Sequence, residues 1–147
     1  MSVHSIKARR RARECSVQFL FGLEFTRYDW REAIEDYWRM NPARPSVKQY
    51  AEHTVAGIHA HLEELDSAIA ATLENWSPER VGKVERGILR LALFEMRYAT
   101  DVPAAVAINE AIELARQFGD DDAPRFVNGV LDRLQKRGLD KTPDPVQ

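Results

Sequence analysis

One cysteine in 147 residues, Cys15, leaves no internal disulfide and no cysteine-based zinc site. Glycine is scarce too, at 7 residues, and none of it gathers into a loop that would cradle a phosphate; Gly82 and Gly87 stand apart within a helical pattern. No apolar run approaches the roughly 18 residues that a membrane span needs. The basic start MSVHSIKARRR leads into no apolar segment with a small-residue cleavage site, so no secretory leader is expected. An arginine-rich start can also mark mitochondrial import. Glu14 and the core-like pattern behind it argue against that, and the expected location is the cytoplasm, with no membrane partner.

Enzyme signatures are missing as well. The histidines are His4, His53, His59 and His61, and no carboxylate completes a metal pattern such as H-E-x-x-H. His53 and His59 do not share a helix face well, and His59 and His61 do not face each other. All four read as surface or partly buried side chains. Cys15 falls on a core face with no histidine near it in sequence, so it reads as a buried, inert thiol. The chain reads as no enzyme, with no catalytic residue, no cofactor and no metal.

The composition that remains is that of an ordinary folded domain. Hydrophobic residues make up 44% and charged residues 30%, which argues against both disorder and a membrane protein. This length buries a core without staples and makes one domain the default. Strand alternation is absent, and a helical period of 3.6 recurs along the chain. A first helix is expected from about Ile6 to Phe25, with Ala12, Cys15, Ser16, Phe19 and Leu23 inward. Asp29, with Glu32 three residues on, signals a second start, and Trp30, Ala33, Ile34, Tyr37 and Trp38 form its stripe. That helix stops at Asn41-Pro42, because the residue before proline avoids the helical region. Ser46 with Gln49 signals a third start, with Val47, Tyr50, Ala51, Thr54, Val55, Ile58 and Leu62 in register and a continuation to Leu73 after a bend near Glu63.

Ser77-Pro78 is a further start signal. Val84 to Met96 is apolar on most sides, which marks a buried, central helix. The segment from Thr100 to Pro103 breaks the chain. The next helix carries Ile108, Ala111, Ile112 and Ala115 and ends at Gly119. The last starts after Asp120, Asp121 and Asp122, carries Phe126, Val127, Val130, Leu131 and Leu134, and ends at Gly138. The fold class is therefore all-α, with six or seven helices. Residues 1–138 form the folded domain and 139–147, with two prolines, a disordered tail.

Charge distribution is more informative than the net value of -2. Residues 1–13 hold Lys7, Arg9, Arg10, Arg11 and Arg13 and no acid. Cations at a helix start oppose the macrodipole by about 0.3–1 kcal/mol each at an exposed site. A chain shaped for stability alone would place acids there, as this one does at Asp120 to Asp122. The planar guanidinium fork suits phosphate oxygens, so the patch points to RNA or DNA. Arg125-Phe126, at a later helix start, offers a cation beside an aromatic ring. If the first and last helices are neighbours, Phe126 stacks on an unpaired base. Phe126 as a core residue fits the same spacing, and both readings stay open. The acidic cluster serves as a cap, holds a basic partner, or tempers RNA affinity by repulsion. Glu79, Glu85 and Glu95 have ordinary surface explanations.

The stretches ARRRARECSVQFLF, VGKVERGILRLALFEM and DVPAAVAINEAIELARQFGDDDAPRFVNGVLDRL resemble the NusB family of bacterial transcription antitermination factors. The likeness covers the first helix and most of the second half, and is looser from Thr26 to about Pro45. It implies two packed three-helix bundles in one compact domain and no enzymatic activity. It implies binding of single-stranded boxA RNA in ribosomal RNA transcripts, together with NusE, a small-subunit ribosomal protein. NusA, NusG and RNA polymerase complete the implied complex, which supports rRNA synthesis.

By the same resemblance Arg9, Arg10, Arg11 and Arg13 form the RNA-binding start, Gln18 lies beside it, and Arg125 and Phe126 form a second RNA-facing segment. Asp122 falls at an acidic position that tempers RNA binding. Phe21 and Glu85 face NusE, with Phe21 in place of the tyrosine often found there. Asn109, Glu110, Asn128 and Gly129 belong to the family signature; the two asparagines read as structural, and Gly129 as permitting close helix packing. Two other readings stand beside this one. The first is an interaction module without selective RNA binding, since some family members self-associate as homodimers. The second is the accessory domain of an rRNA methyltransferase, which the lack of a second domain and of a glycine-rich cofactor loop disfavours.

Overall fold

The computed structural model describes residues 5–25, 29–73 and 81–142. Their regular structure is helical throughout: α1 (Ser5–Leu23), α2 (Trp30–Met40), α3 (Pro45–Ala60), α4 (Leu62–Thr72), α5 (Lys83–Tyr98), α6 (Ala104–Phe118) and α7 (Ala123–Lys136). The all-α class and the count of six or seven helices hold for these residues. The chain divides into two compact units, Met1–His59 and Ala60–Gln147.

In the first unit the 3.6-residue pattern becomes a core of Ala12, Cys15 and Phe19 from α1, Ile34 and Trp38 from α2, and Val47, Ala51 and Val55 from α3. Burying each larger aliphatic or aromatic side chain here is worth roughly 1.5–3 kcal/mol. The rings interlock edge-on, with Phe19 and Tyr37 at 5.6 Å and Tyr37 and Trp38 at 5.2 Å between centroids. Asp29 caps α2 by accepting from the Arg31 amide at 2.8 Å. Asn41 closes it, its amide returning to the Tyr37 carbonyl. α3 starts one residue before the expected Ser46: Pro45 takes the first helical position, where its fixed φ and missing N–H cost nothing. The run expected to bend near Glu63 breaks at His61, between Ala60 and Leu62.

The second unit is built round α5, which touches α4, α6 and α7. Gly87, Ile88, Leu89, Leu91, Ala92, Leu93 and Phe94 are all buried, so its apolar circumference does mark the central helix. Leu65 and Ile69, Ala111 and Leu114, and Val127 and Leu131 line its neighbours' inner faces. Arg90 of α5 grips Asp66 of α4 with both prongs of its fork, at 2.7 and 2.8 Å.

Two expectations change in this unit. Glu95 is no surface acid but lies 1% exposed on α5. Leu139 to Thr142, expected to be disordered, are tied to α5. Arg97 donates from Nε and Nη2 to the Leu139 carbonyl at 3.0 and 2.7 Å, and Thr142 donates to the Arg97 carbonyl at 2.7 Å. The turn that brings them there uses Gly138 at φ 71, where a side chain would be strained. Residues 143–147 and the Ser77-Pro78 signal lie outside the described residues.

Gly119 ends α6 as expected, but not through a left-handed conformation: its φ is -95. It is glycine for want of space. A Cβ there would overlap that of Ala123 and stand 2.9 Å from the Ala115 carbonyl oxygen. This close approach lets the chain pass from α6 to α7 in four residues.

Candidate nucleic-acid interface

Helical geometry spreads the α1 arginines over different environments. Arg10 and Arg11 are exposed, and Arg11 pairs with Glu14 one turn on at 3.2 Å. Arg9 is half-buried, its guanidinium carbon 5.1 Å from the centroid of the Tyr50 ring on α3. Arg13, one turn further, is only 4% exposed and stands 5.8 Å from the same centroid. The stretch that reads as a uniform cationic face is thus layered. Two arginines are presented outward, one lies against a ring, and one is buried. Cation–ring contacts within about 6 Å are attractive because the ring face is negative.

Gln18 is exposed on α1 and accepts a hydrogen bond from the Tyr37 hydroxyl at 3.0 Å. Burial, followed by the neighbouring Cys15, pushes the Tyr37 phenol well above its ordinary range, so it stays a donor. Near the end of α1, Phe21 is 40% exposed and packs edge-on against Phe25, which is 63% exposed. An exposed pair of large rings is a feature of a contact surface rather than of a core.

The second surface lies in the other unit, around the start of α7. Asp120 accepts from the Asp122 amide at 3.1 Å and so forms the turn that starts the helix. Asp122 occupies the N-cap position, but its side chain makes no capping hydrogen bond. Its carboxylate remains exposed, next to the positive end of the helix. Arg125 is exposed and Phe126 half-buried, so Phe126 is neither a full core residue nor a free ring.

Both line an open groove of about 480 Å³. The same groove is bordered by the acids Glu85, Asp120 and Asp122, by Arg133, and by Gly129 and Val130. It brings Glu85, expected on a protein-facing surface, together with Arg125, Phe126 and Asp122, expected on an RNA-facing one.

Glu85 occupies the first turn of α5, after the N-cap Gly82. A Cβ built on Gly82 would overlap the Glu85 carboxylate, and one on Gly119 would lie 3.2 Å from its Oε1. The acid is therefore held at the positive end of α5 and against the end of α6. Gly82, expected to be helical, is an extended cap that leaves room for this carboxylate. Gly129 likewise differs from expectation. A Cβ there meets nothing within 4 Å, so it opens the groove instead of permitting close helix packing. Asn109 and Asn128 are exposed on α6 and α7, not tied into the core.

Sequence reasoning missed Tyr50 and Arg133. Tyr50 sits in the α3 apolar register, and no local pattern links it to arginines some forty positions earlier. Arg133 donates to the Thr72 carbonyl at 3.3 Å while lining the groove. Of the histidines, His59 stacks on Trp30 at 5.8 Å and His61 on Tyr98 at 4.1 Å. His4 lies outside the described residues. Among the described residues no three His, Cys, Asp or Glu side chains gather in a way that could hold a metal ion.

Fold and surfaces together define an all-helical protein with a graded arginine face on its first helix and an acid- and arginine-lined groove at its last. The sequence model of the NusB family matches residues 10–136, and the chain belongs to that family. It is similar to the transcription antitermination protein NusB of Bacillus subtilis, at 44% identity over 127 residues, covering 86% of this chain and 94% of that protein. It is also similar to the protein of the same description from Myxococcus xanthus, at 38% identity over 131 residues, with coverage of 86% and 94%.

Among solved structures, NusB of T. maritima superposes with a TM-score of 0.79 at 37% identity, over 87% of this chain and 90% of that one. A structure described as antitermination factors NusB and NusE in complex with dsRNA superposes with a TM-score of 0.79 at 27% identity, over 89% and 98%.

Proposed function

We propose that this protein is a transcription antitermination factor that binds boxA RNA of ribosomal RNA transcripts together with NusE. The observation that carries the reading is the outward pair Arg10 and Arg11 beside ring-supported Arg9, on the first helix of a chain in the NusB family. Such a face neutralises phosphates without regard to sequence. Selectivity then comes from base edges of an extended single strand, with Phe126 beside Arg125 as the stacking element. The similarity to a solved complex of NusB and NusE with dsRNA supports NusE and RNA as the classes of partner.

In this reading Gln18 borders the phosphate-binding face, and Asp122 tempers affinity through its exposed charge. Phe21, with its neighbour Phe25, and Glu85 meet NusE. The complex acts with NusA, NusG and RNA polymerase in the cytoplasm, and the protein performs no catalysis.

The test is binding of a boxA RNA and a scrambled control, with and without purified NusE, at two salt concentrations. Selective binding strengthened by NusE is the expected result. NusE binding with equal affinity for both RNAs would leave an interaction module and overturn the reading.

A further inference from the structure

Tyr50 is the aromatic residue on which the first unit brings two of the four arginines together. Arg9 and Arg13 are one helical turn apart on α1, and both guanidinium groups lie within 6 Å of the Tyr50 ring centroid, at 5.1 and 5.8 Å. Tyr50 itself is half-buried on α3, with its backbone carbonyl taken by the Thr54 hydroxyl at 2.9 Å. The ring is therefore carried by a turn of α3. Arg13 is 4% exposed, so it is not presented to a ligand in this arrangement, whereas half-buried Arg9 keeps access to solvent.

We propose that Tyr50 is the positioning residue of the RNA-binding face: its ring holds Arg9 in a fixed orientation for phosphate, with Arg13 as a buried support beneath. This inference rests on the RNA-binding reading above and adds to it a residue on a different helix. The physical reason is order. A free arginine on a helix surface samples many rotamers, and freezing one on binding costs affinity. A ring that already attracts the guanidinium removes part of that cost in the unbound protein. The guanidinium carries five N–H donors in a planar fork, so an arginine held beside a ring is still suited to phosphate oxygens. Tyr50 touches no phosphate in this scheme and acts only through arginine.

The test is a double-mutant cycle read as boxA RNA affinity, with Tyr50→Leu, Arg9→Ala and the double variant, plus Tyr50→Phe to keep the ring. Tyr50→Leu should weaken binding roughly three- to tenfold, the range of a cation–ring contact. Its salt slope should stay close to that of the parent, because Arg9 still reaches its phosphate. Tyr50→Phe should bind within about twofold of the parent. In the Arg9→Ala background, Tyr50→Leu should have little further effect.

A role in folding alone predicts the same loss in both backgrounds, and that result overturns the inference. Should Tyr50→Leu fail to fold, the Arg9 Nε–H resonance of the parent and of Tyr50→Phe decides instead. A ring-shifted resonance in both supports the contact, and an unshifted one removes it. Failure of the parent to bind boxA RNA at all would bring down the RNA-binding reading itself, a different outcome from binding that shows no coupling between residues 9 and 50.

Discussion

Glu85 and Gly82 are matched in space: the carboxylate of the first occupies the volume that a side chain on the second would fill. The pair closes the start of α5, the helix round which the second unit is built. It also places an acid on the rim of the groove that holds Arg125 and Phe126. One residue thus has a folding task and a position suited to a partner.

Glu85→Lys should therefore weaken NusE pairing and also lower stability, by about 1 kcal/mol, through loss of an acid at a helix start and gain of a cation there. Glu85→Gln keeps the shape and should cost less on both counts. Thermal melts alongside NusE titrations separate the two effects. A Lys variant with parental stability would show that the carboxylate does not serve the helix start.

Gly119 and Gly129 should respond to alanine in opposite directions. Gly119→Ala forces a Cβ onto Ala123 and the Ala115 carbonyl, and should destabilise by about 1–3 kcal/mol, as overpacking does. Gly129→Ala lies within α7 with open space around it, and should stabilise by about 0.5–1 kcal/mol through helix propensity. Urea unfolding of the two variants checks both signs in one experiment.

Arg10→Ala and Arg13→Ala should differ in kind. Arg10 is exposed, so its loss should leave the melting temperature unchanged and reduce the salt slope of RNA binding by about 0.7. Arg13 is buried, so its loss should remove packing and destabilise the first unit by about 1–2 kcal/mol. Equal melting temperatures for both variants would contradict the layered arrangement.

Tyr98 supplies an alkaline signature. Burial, and then its hydrogen bond to Glu64, pushes the phenol from 10.0 up to about 12. A raised folded-state pKa favours the neutral phenol. Its stabilising contribution is complete below about pH 10 and is lost as pH rises towards about 12. Urea midpoints taken at about pH 9 and about pH 11.5 should fall further for the parent than for Tyr98→Phe, which has no phenol to ionise. Parallel declines would place the alkaline loss elsewhere.

What the sequence determined by itself was periodic and local. Apolar residues at 3.6 spacing fixed the helices and their inner faces, because a helix must bury its apolar stripe. Asp29, Pro42, Gly119 and Gly138 marked real ends, since caps and breakers act within a few residues of themselves. The arginine run and the family signature pointed to RNA without any coordinates.

Tertiary structure decided what depends on distance across the chain. It buried Glu95 and Arg13, which look like surface charges in one dimension, because burial is set by neighbouring helices and not by residue type. It tied Leu139 to Arg97 through hydrogen bonds that no local pattern announces. It also gathered Glu85, Asp122, Arg125 and Phe126 round one groove and set Tyr50 beside Arg9. Contacts of that kind join residues far apart in sequence, and only packing brings them together.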